Sequence, residues 1–182
     1  MDLRDHPLRL PEALADGVIR LDSHRLTDAE AHCAGEDAEM MRRFESPQKA
    51  TLEQTRAAME RWIAMRAAGG PEFAYALREP SGVLTGGCAS HLLAADRANV
   101  SYWVFPAFRG RGYAGRATVL LCEALSRAPG LARIEAHIDA DNLASRRVAE
   151  KSGFIEDGTV KDESRSGELF VRIRYTKQAR PA

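Results

Sequence analysis

The chain has 182 residues, 45% of them hydrophobic and 29% charged, the balance of one globular domain and not of a disordered chain. Lysine and arginine together number 26, as do aspartate and glutamate, for a formal net charge of zero, so no global field draws the protein to nucleic acid or an anionic membrane. No apolar run reaches the length of a membrane span and the first residues lack a signal peptide's apolar core, which points to the cytoplasm.

Residues 1–16 are polar, hold Pro7 and Pro11, and read as an N-terminal arm; residues 17–178 read as a single domain. A short first strand is expected at 18–21. Thr27 followed by Glu30 predicts a capping box for a helix that ends at Gly35, and residues 36–44 predict a second short helix, interrupted at Ser46-Pro47. The longest helical pattern runs from 51 to 68, where Leu52, Met59, Trp62 and Ile63 can face a core, and Gly69-Gly70-Pro71 stops it. Helical spacing alone accounts for Trp62 and the methionines, so they read as core and not as a ligand box.

Strands dominate next. Residues 73–78 and 83–93 flank the turn Glu79-Pro80-Ser81-Gly82, an antiparallel hairpin signal, and Gly86-Gly87 predicts a bulge or a close backbone approach. A central strand at 98–104 stops at Pro106, passes through a basic, glycine-rich turn and opens into an amphipathic helix near Gly115. After Pro129-Gly130, residues 133–138 alternate, with Ile134, Ala136 and Ile138 on one face and Glu135 and His137 on the other. A helix at about 144–152, a strand at 154–160, a polar loop at 161–167 and a last strand at 168–176 complete a mixed α+β pattern. Cys33, Cys88 and Cys122 have no paired or metal-type spacing and read as free thiols; no metal is expected.

The glycine-rich turn is an anion site. Gly110 and Gly112 permit backbone conformations that a β-carbon penalises, the first amides of the following helix have no intrahelical acceptor, and Arg109, Arg111 and Arg116 add charge. Gly110, Gly112 and Gly115 also spell the G-x-G-x-x-G dinucleotide fingerprint, with Glu135 near the distance of a ribose-binding acid. A dinucleotide oxidoreductase is nevertheless disfavoured, because Pro106 and further residues separate strand from glycine and too little chain follows for a doubly wound domain. There is no G-K-[ST] of a nucleotide-hydrolase loop.

Arg109-Gly110-Arg111-Gly112-Tyr113-Ala114, after Tyr102-Trp103-Val104 and Pro106, resembles the R/Q-x-x-G-x-G/A acyl-CoA pyrophosphate loop of the GNAT superfamily of N-acetyltransferases. The block from Asn142 through Ser145, Glu150 and Lys151 to Gly153-Phe154 is similar to that of the RimJ/RimL-type branch, and the likeness extends from about 15 to 176. It implies the GNAT fold and acetyl-CoA as cosubstrate, held by Trp103, Val104, Phe105, Arg109, Gly110, Arg111, Gly112, Tyr113, Ala114, Gly115, Asn142 and Ser145. It also implies that the strands at 98–104 and 133–138 splay apart around the pantetheine arm. A bulge near 102–104 would then free a main-chain amide as oxyanion donor, a contact whose loss costs about 3 kcal/mol.

The resemblance implies acetyl transfer to a primary amine, either a protein N-terminus or a small molecule, by direct attack in a ternary complex. A non-catalytic acyl-CoA-binding module, which keeps the same loop, is the alternative. Many relatives protonate the leaving sulfur with a tyrosine at the position that is Ala149 here; the RimJ/RimL-type branch has a serine at Ser145, whose other reading is helix capping. Glu135, His137 and His91 are candidate general bases, with a water relay or an amine arriving neutral equally compatible. The acceptor site implied lies at 36–47 and 161–167, where Glu36, Asp37, Glu39, Glu45, Asp162 and Glu163 either hold a cationic amine or are solvated surface. The last strands offer a homodimer contact.

Overall fold

The computed structural model describes residues 9–46, 48–163 and 169–179; the start of the expected arm, Pro47, the loop positions 164–167 and the side chains of Asp162 and Glu163 lie outside the described residues. The hairpin read from the turn at 79–82 is present as β3 (Glu72–Arg78) and β4 (Leu84–Ala94), and β5 (Arg97–Val104) adds to it antiparallel. Upstream lie β1 (Leu14–Ala15) and β2 (Arg20–Asp22), and downstream β6 (Arg133–Ile138), β7 (Ile155–Glu163) and β8 (Leu169–Gln178). The eight strands form one sheet in the order β1-β2-β3-β4-β5-β6-β8-β7. Every junction is antiparallel except β5 with β6, which is not the parallel sheet that a dinucleotide fingerprint requires.

Among the described residues five α-helices cover the sheet: α1 (Ala29–Gly35), α2 (Ala38–Arg43) and α3 (Leu52–Ala67) on one face, α4 (Tyr113–Ser126) and α5 (Leu143–Lys151) on the other. Leu21, Tyr75, Cys88, Val100 and Ile134 meet Leu121 and Leu125 of α4 and Ala149 of α5 in the larger core. Ala74, Ala76, Ala89, Trp103 and Phe105 meet Met40 of α2 and Trp62 of α3 in the smaller one. Alternation along β5 therefore sends Tyr102 and Trp103 to opposite faces. Cys88 and Cys122 are buried free thiols, with burial pushing the Cys122 thiol up to about 12.

Thr51 and Gln54 exchange the two hydrogen bonds of a capping box at the start of α3, at 3.2 and 2.9 Å. The box expected at Thr27 and Glu30 is absent. A 3-10 turn, Leu26–Asp28, precedes α1 instead, and the Asp28 carboxylate accepts from the Arg25 amide at 2.8 Å. Asp28 is free to do so because buried Arg78 fixes it, with Nη1 at 3.0 and Nη2 at 2.5 Å, while Arg78 Nε donates to Asp22 at 2.8 Å. The end of the expected arm is likewise structured: Leu14 and Ala15 pair with Leu21 and Arg20, and the Tyr75 hydroxyl donates to the Pro11 carbonyl at 2.7 Å.

The bulge expected at 102–104 lies one strand away. The β4–β5 ladder runs in step from Gly86↔Val104 to Leu92↔Ala98, whereas β3 and β4 shift register between Leu77↔Gly86 and Arg78↔Leu84, leaving Thr85 as the extra residue. Glycine is required beside it, since a β-carbon on Gly86 would meet the Trp103 carbonyl and one on Gly87 the Trp103 ring. The smaller core also holds His24, with its ring centroid 4.8 Å from Trp62 and its plane stacked on Trp103 at 6.2 Å, and His32, 5.9 Å from Trp103. Burial drives the His24 imidazole down to about 3 and that of His32 to about 4, so both are neutral at ordinary pH.

Candidate active site

The parallel pair β5–β6 holds together for only three positions, Arg97↔Arg133, Ala98↔Ile134 and Asn99↔Glu135. Beyond them β5 continues to Val104 and β6 to Ile138 without pairing to each other, so the sheet opens. The opening leads into a cleft of 820 Å³, lined by Val100 to Val104 of β5, Ala136 to Ile138 of β6, the glycine-rich turn, the start of α5 and part of α2. Trp103 points its carbonyl at Gly86, and the Phe105 amide donates to Thr85 on β4 at 2.8 Å. Since strand groups alternate, the main-chain groups of Tyr102 and Val104 face the opening.

At one end of the cleft, Gly110 and Gly112 have φ of 77° and 78°, the left-handed region that glycine adopts freely. Gly112 is the N-cap of α4 and no side chain caps that terminus, so the leading amides of Tyr113, Ala114 and Gly115 are presented to the cleft that these residues line. Arg109 also lines it, with Nη1 and Nη2 on Asp37 at 2.7 and 2.9 Å and Nε on the Val104 carbonyl at 3.0 Å. The Arg109 guanidinium holds the Asp37 carboxyl below its usual range. Phe105 and Arg111 are not among the lining residues: Phe105 packs in the smaller core, 5.7 Å from the His32 ring, and Arg111 bonds Glu79 at 3.1 Å. Arg116 pairs with Asp16 at 2.7 Å.

At the other end Asn142 caps α5, its Oδ1 accepting from the Ser145 amide at 3.1 Å. The cap fixes Ser145 at the cleft wall, where its Oγ lies 2.7 Å from the Tyr102 hydroxyl of β5. Sequence reading missed this partner, although period-two alternation along β5 places Tyr102 on the side of α4 and α5. Glu135 and His137 come together, His137 Nε2 lying 2.9 Å from Glu135 Oε2. His137 lines the cleft; Glu135 is 2% exposed, lies behind it and takes a second contact from Arg97 at 3.5 Å. His91 is exposed on β4 opposite Asn99 and is not itself among the lining residues.

The α2 rim carries the acids expected for an amine, but each has a partner. Glu39 bonds Arg42 and Arg43; Arg43 also reaches Asp139 at 2.9 Å and Asp141 at 2.5 Å. Arg172 of β8 bonds Glu45 at 2.7 Å and Asp139 at 2.9 Å. Glu36 accepts from the Ala50 amide at 3.3 Å. Burial works to raise the Asp139 carboxyl, but Arg172 and Arg43 hold it below its usual range, and Arg43 with Arg42 brings Asp141 to about 2. Among the described residues no cluster of His, Cys, Asp and Glu has the geometry to hold a metal, and no helix is long and apolar enough to cross a membrane.

Several solved structures share this architecture. RimL, a ribosomal L7/L12 α-N-protein acetyltransferase solved with coenzyme A, superposes with a TM-score of 0.80 at 19% identity, over 92% of this chain and 98% of that one. The microcin C7 self-immunity acetyltransferase MccE, solved with acetyl-CoA and AMP, gives 0.79 at 18% identity over 90% and 93%. Mycobacterium smegmatis RimJ, solved with a CoA-disulfide, gives 0.76 at 23% identity over 95% and 86%. No curated protein matches the chain by sequence. The model of the acetyltransferase (GNAT) domain matches residues 19–155, three quarters of the chain and the whole of the opened β5–β6 unit with its flanking helices: the chain belongs to the GNAT acetyltransferase family.

Proposed function

We propose that the protein moves the acetyl group of acetyl-CoA onto a primary amine by direct attack in a ternary complex. The observation that carries this reading is the opened β5–β6 pair, with an uncapped helix terminus at one end and Ser145 at the other. The diphosphate sits on the amides after Gly112 with Arg109 beside it, the pantetheine arm runs between β5 and β6, and the Val104 amide donates to the thioester carbonyl. The amine attacks the carbonyl carbon and yields a proton to His137, which Glu135 orients, or to water. The C–S bond then breaks, its electron pair passes to sulfur, Ser145 donates a hydrogen bond to the thiolate, and the amine's proton ends on the thiol.

The paired rim favours an acceptor that brings its own charges to exchange with Arg42, Arg43, Asp139 and Asp141, as the N-terminus of a protein does, over a simple hydrophobic amine. Three free thiols suit a reducing cytoplasm, and the exposed Leu169 and Val171 of β8 support a homodimer at that end of the sheet.

Acetyl-CoA incubated with a panel of N-terminal peptides and small amines, read by mass spectrometry and thiol release, tests the assignment. Acetylated product is expected. Coenzyme A binding with no product from any amine would instead establish the non-catalytic acyl-CoA module. In the active enzyme, Glu135→Gln is expected to lower kcat about tenfold with acetyl-CoA affinity kept; an unchanged rate removes the Glu135–His137 pair from the proton path.

A further inference from the structure

Tyr102 crosses the opening in the sheet. It leaves β5 on the face opposite Trp103, at a position where β5 and β6 no longer pair, and its hydroxyl meets the first turn of α5. Two contacts define the meeting: the phenol donates to the Ser145 carbonyl at 3.1 Å and lies 2.7 Å from Ser145 Oγ. Both side chains line the cleft. Ser145 is held at its backbone by the Asn142 cap, which leaves its side chain free to rotate, and among the described residues Tyr102 is the polar side chain in contact with that rotor.

A serine hydroxyl by itself is a poor partner for a thiolate, because its O–H is weakly polarised. A second O–H donating to its oxygen strengthens its own donation, as hydrogen bonds in a chain polarise one another. Burial pushes the Tyr102 phenol up to about 12, against the pull of the Ser145 hydrogen bond, so it stays a donor across the working pH range.

We propose that Tyr102 is a positioning residue for acetyl transfer, its phenol orienting and polarising the Ser145 hydroxyl toward the departing sulfur. In the resting site the phenol donates to the Ser145 carbonyl and accepts from Ser145 Oγ–H. As the C–S bond breaks and its electron pair moves to sulfur, Ser145 Oγ–H turns to the thiolate and the phenol O–H turns to Ser145 Oγ. Neither hydroxyl gains or loses a proton over the cycle; the proton that ends on sulfur is the one the amine gave up. This rests on the acetyl-transfer reading above, and it assigns to β5 a role in leaving-group departure beyond walling the cleft.

The test is a double-mutant cycle of Tyr102→Phe and Ser145→Ala, with kcat, KM for acetyl-CoA and thermal midpoint measured for all four proteins. Tyr102→Phe should lower kcat about tenfold, keep KM within about twofold, and cost almost nothing further once Ser145 is alanine. A kcat equal to wild type, or the same tenfold loss in the Ser145→Ala background, overturns the proposal. Should the phenylalanine variant fold poorly, fluorotyrosine incorporated at 102 keeps the shape and makes the phenol more acidic. As a stronger donor it should change kcat in the wild-type background and leave it unchanged in the Ser145→Ala background; a kcat unmoved in the first, or moved equally in both, overturns the relay. A wild-type protein that transfers acetyl to no amine overturns the acetyl-transfer reading and Tyr102's role together, whereas an active wild type with an indifferent Tyr102→Phe overturns the role alone.

Discussion

The two ends of the cleft are built on opposite principles. At the α4 end the working groups are chiefly main-chain amides, left uncapped behind two left-handed glycines within a six-residue stretch, with a single arginine, Arg109, held beside them on Asp37. At the α2 rim they are charged side chains already engaged with one another, joining residues 96 to 99 positions apart in sequence. An amide that needs no partner exchange suits a ligand that never changes, whereas a rim of exchangeable ion pairs can be retuned by single substitutions without disturbing the fold. On the reading proposed above, the acyl donor, the half of the reaction that stays the same, takes the glycine turn, and the acceptor takes the rim.

The sharpest way to break that contrast is Gly112→Val. A β-branched residue is strained at a φ of 78° and would shift the amides that follow, so the Kd for coenzyme A should rise about thirtyfold, on a strain of about 2 kcal/mol. Titration calorimetry checks it, with the acceptor KM expected to stay within about twofold. An unchanged Kd would mean that the diphosphate does not use these amides.

The aromatic layer beneath the rim adds a pH test. His24 and His32 protonate near 6.5 in an unfolded chain but only at about 3 and about 4 when folded, because burial disfavours the charged ring. Between those values the unfolded state binds more protons, so stability rises with pH. The full contribution is present above about 6.5 and is lost as pH falls, by up to about 1.4 kcal/mol per pH unit for each histidine. Chemical denaturation from pH 7 to 5 should show this slope, and His24→Phe should reduce it by about half. A flat profile would contradict neutral burial of the pair.

The smallest effect is expected at the rim itself. Arg43→Ala removes contacts to Glu39, Asp139 and Asp141 while Arg172 still holds Asp139. The KM for the amine should rise about fivefold, with coenzyme A affinity unaltered, since Arg43 is only one member of a network whose acids Glu39 and Asp141 remain largely exposed. Coenzyme A binding that weakened as much as amine binding would erase the division between the two ends.

Legibility in the sequence follows the same division. The glycine turn and the alternating strand at 133–138 were readable because the causes are local: a backbone conformation and a period of two. Capping of α5 was read at Ser145, but Asn142 is the cap and Ser145 supplies the amide it accepts from. The 3-10 turn before α1 was not, because Asp28 takes its place through Arg78, 50 residues away. The bulge was expected at 102–104 and formed at Thr85, since the space that Trp103 needs is provided by Gly86 and Gly87 on the neighbouring strand. The acids at 36–45 read as an amine site or as solvated surface; Glu39 meets Arg42 and Arg43 on its own helix, whereas the partners of Asp37 and Glu45, Arg109 and Arg172, lie 72 and 127 positions away and become visible only when the sheet is assembled. Tyr102 falls between the two cases, its face given by alternation and its partner only by the opening of β5 from β6.

Calorimetric titration of the purified wild-type protein with coenzyme A, alongside NAD, addresses the cleft most directly. The β5–β6 opening and the uncapped α4 terminus predict saturable one-to-one binding of coenzyme A, competed by acetyl-CoA and not by NAD. A protein that retains its fold and yields no heat with coenzyme A, or that binds NAD in its place, would contradict the assignment of that cleft.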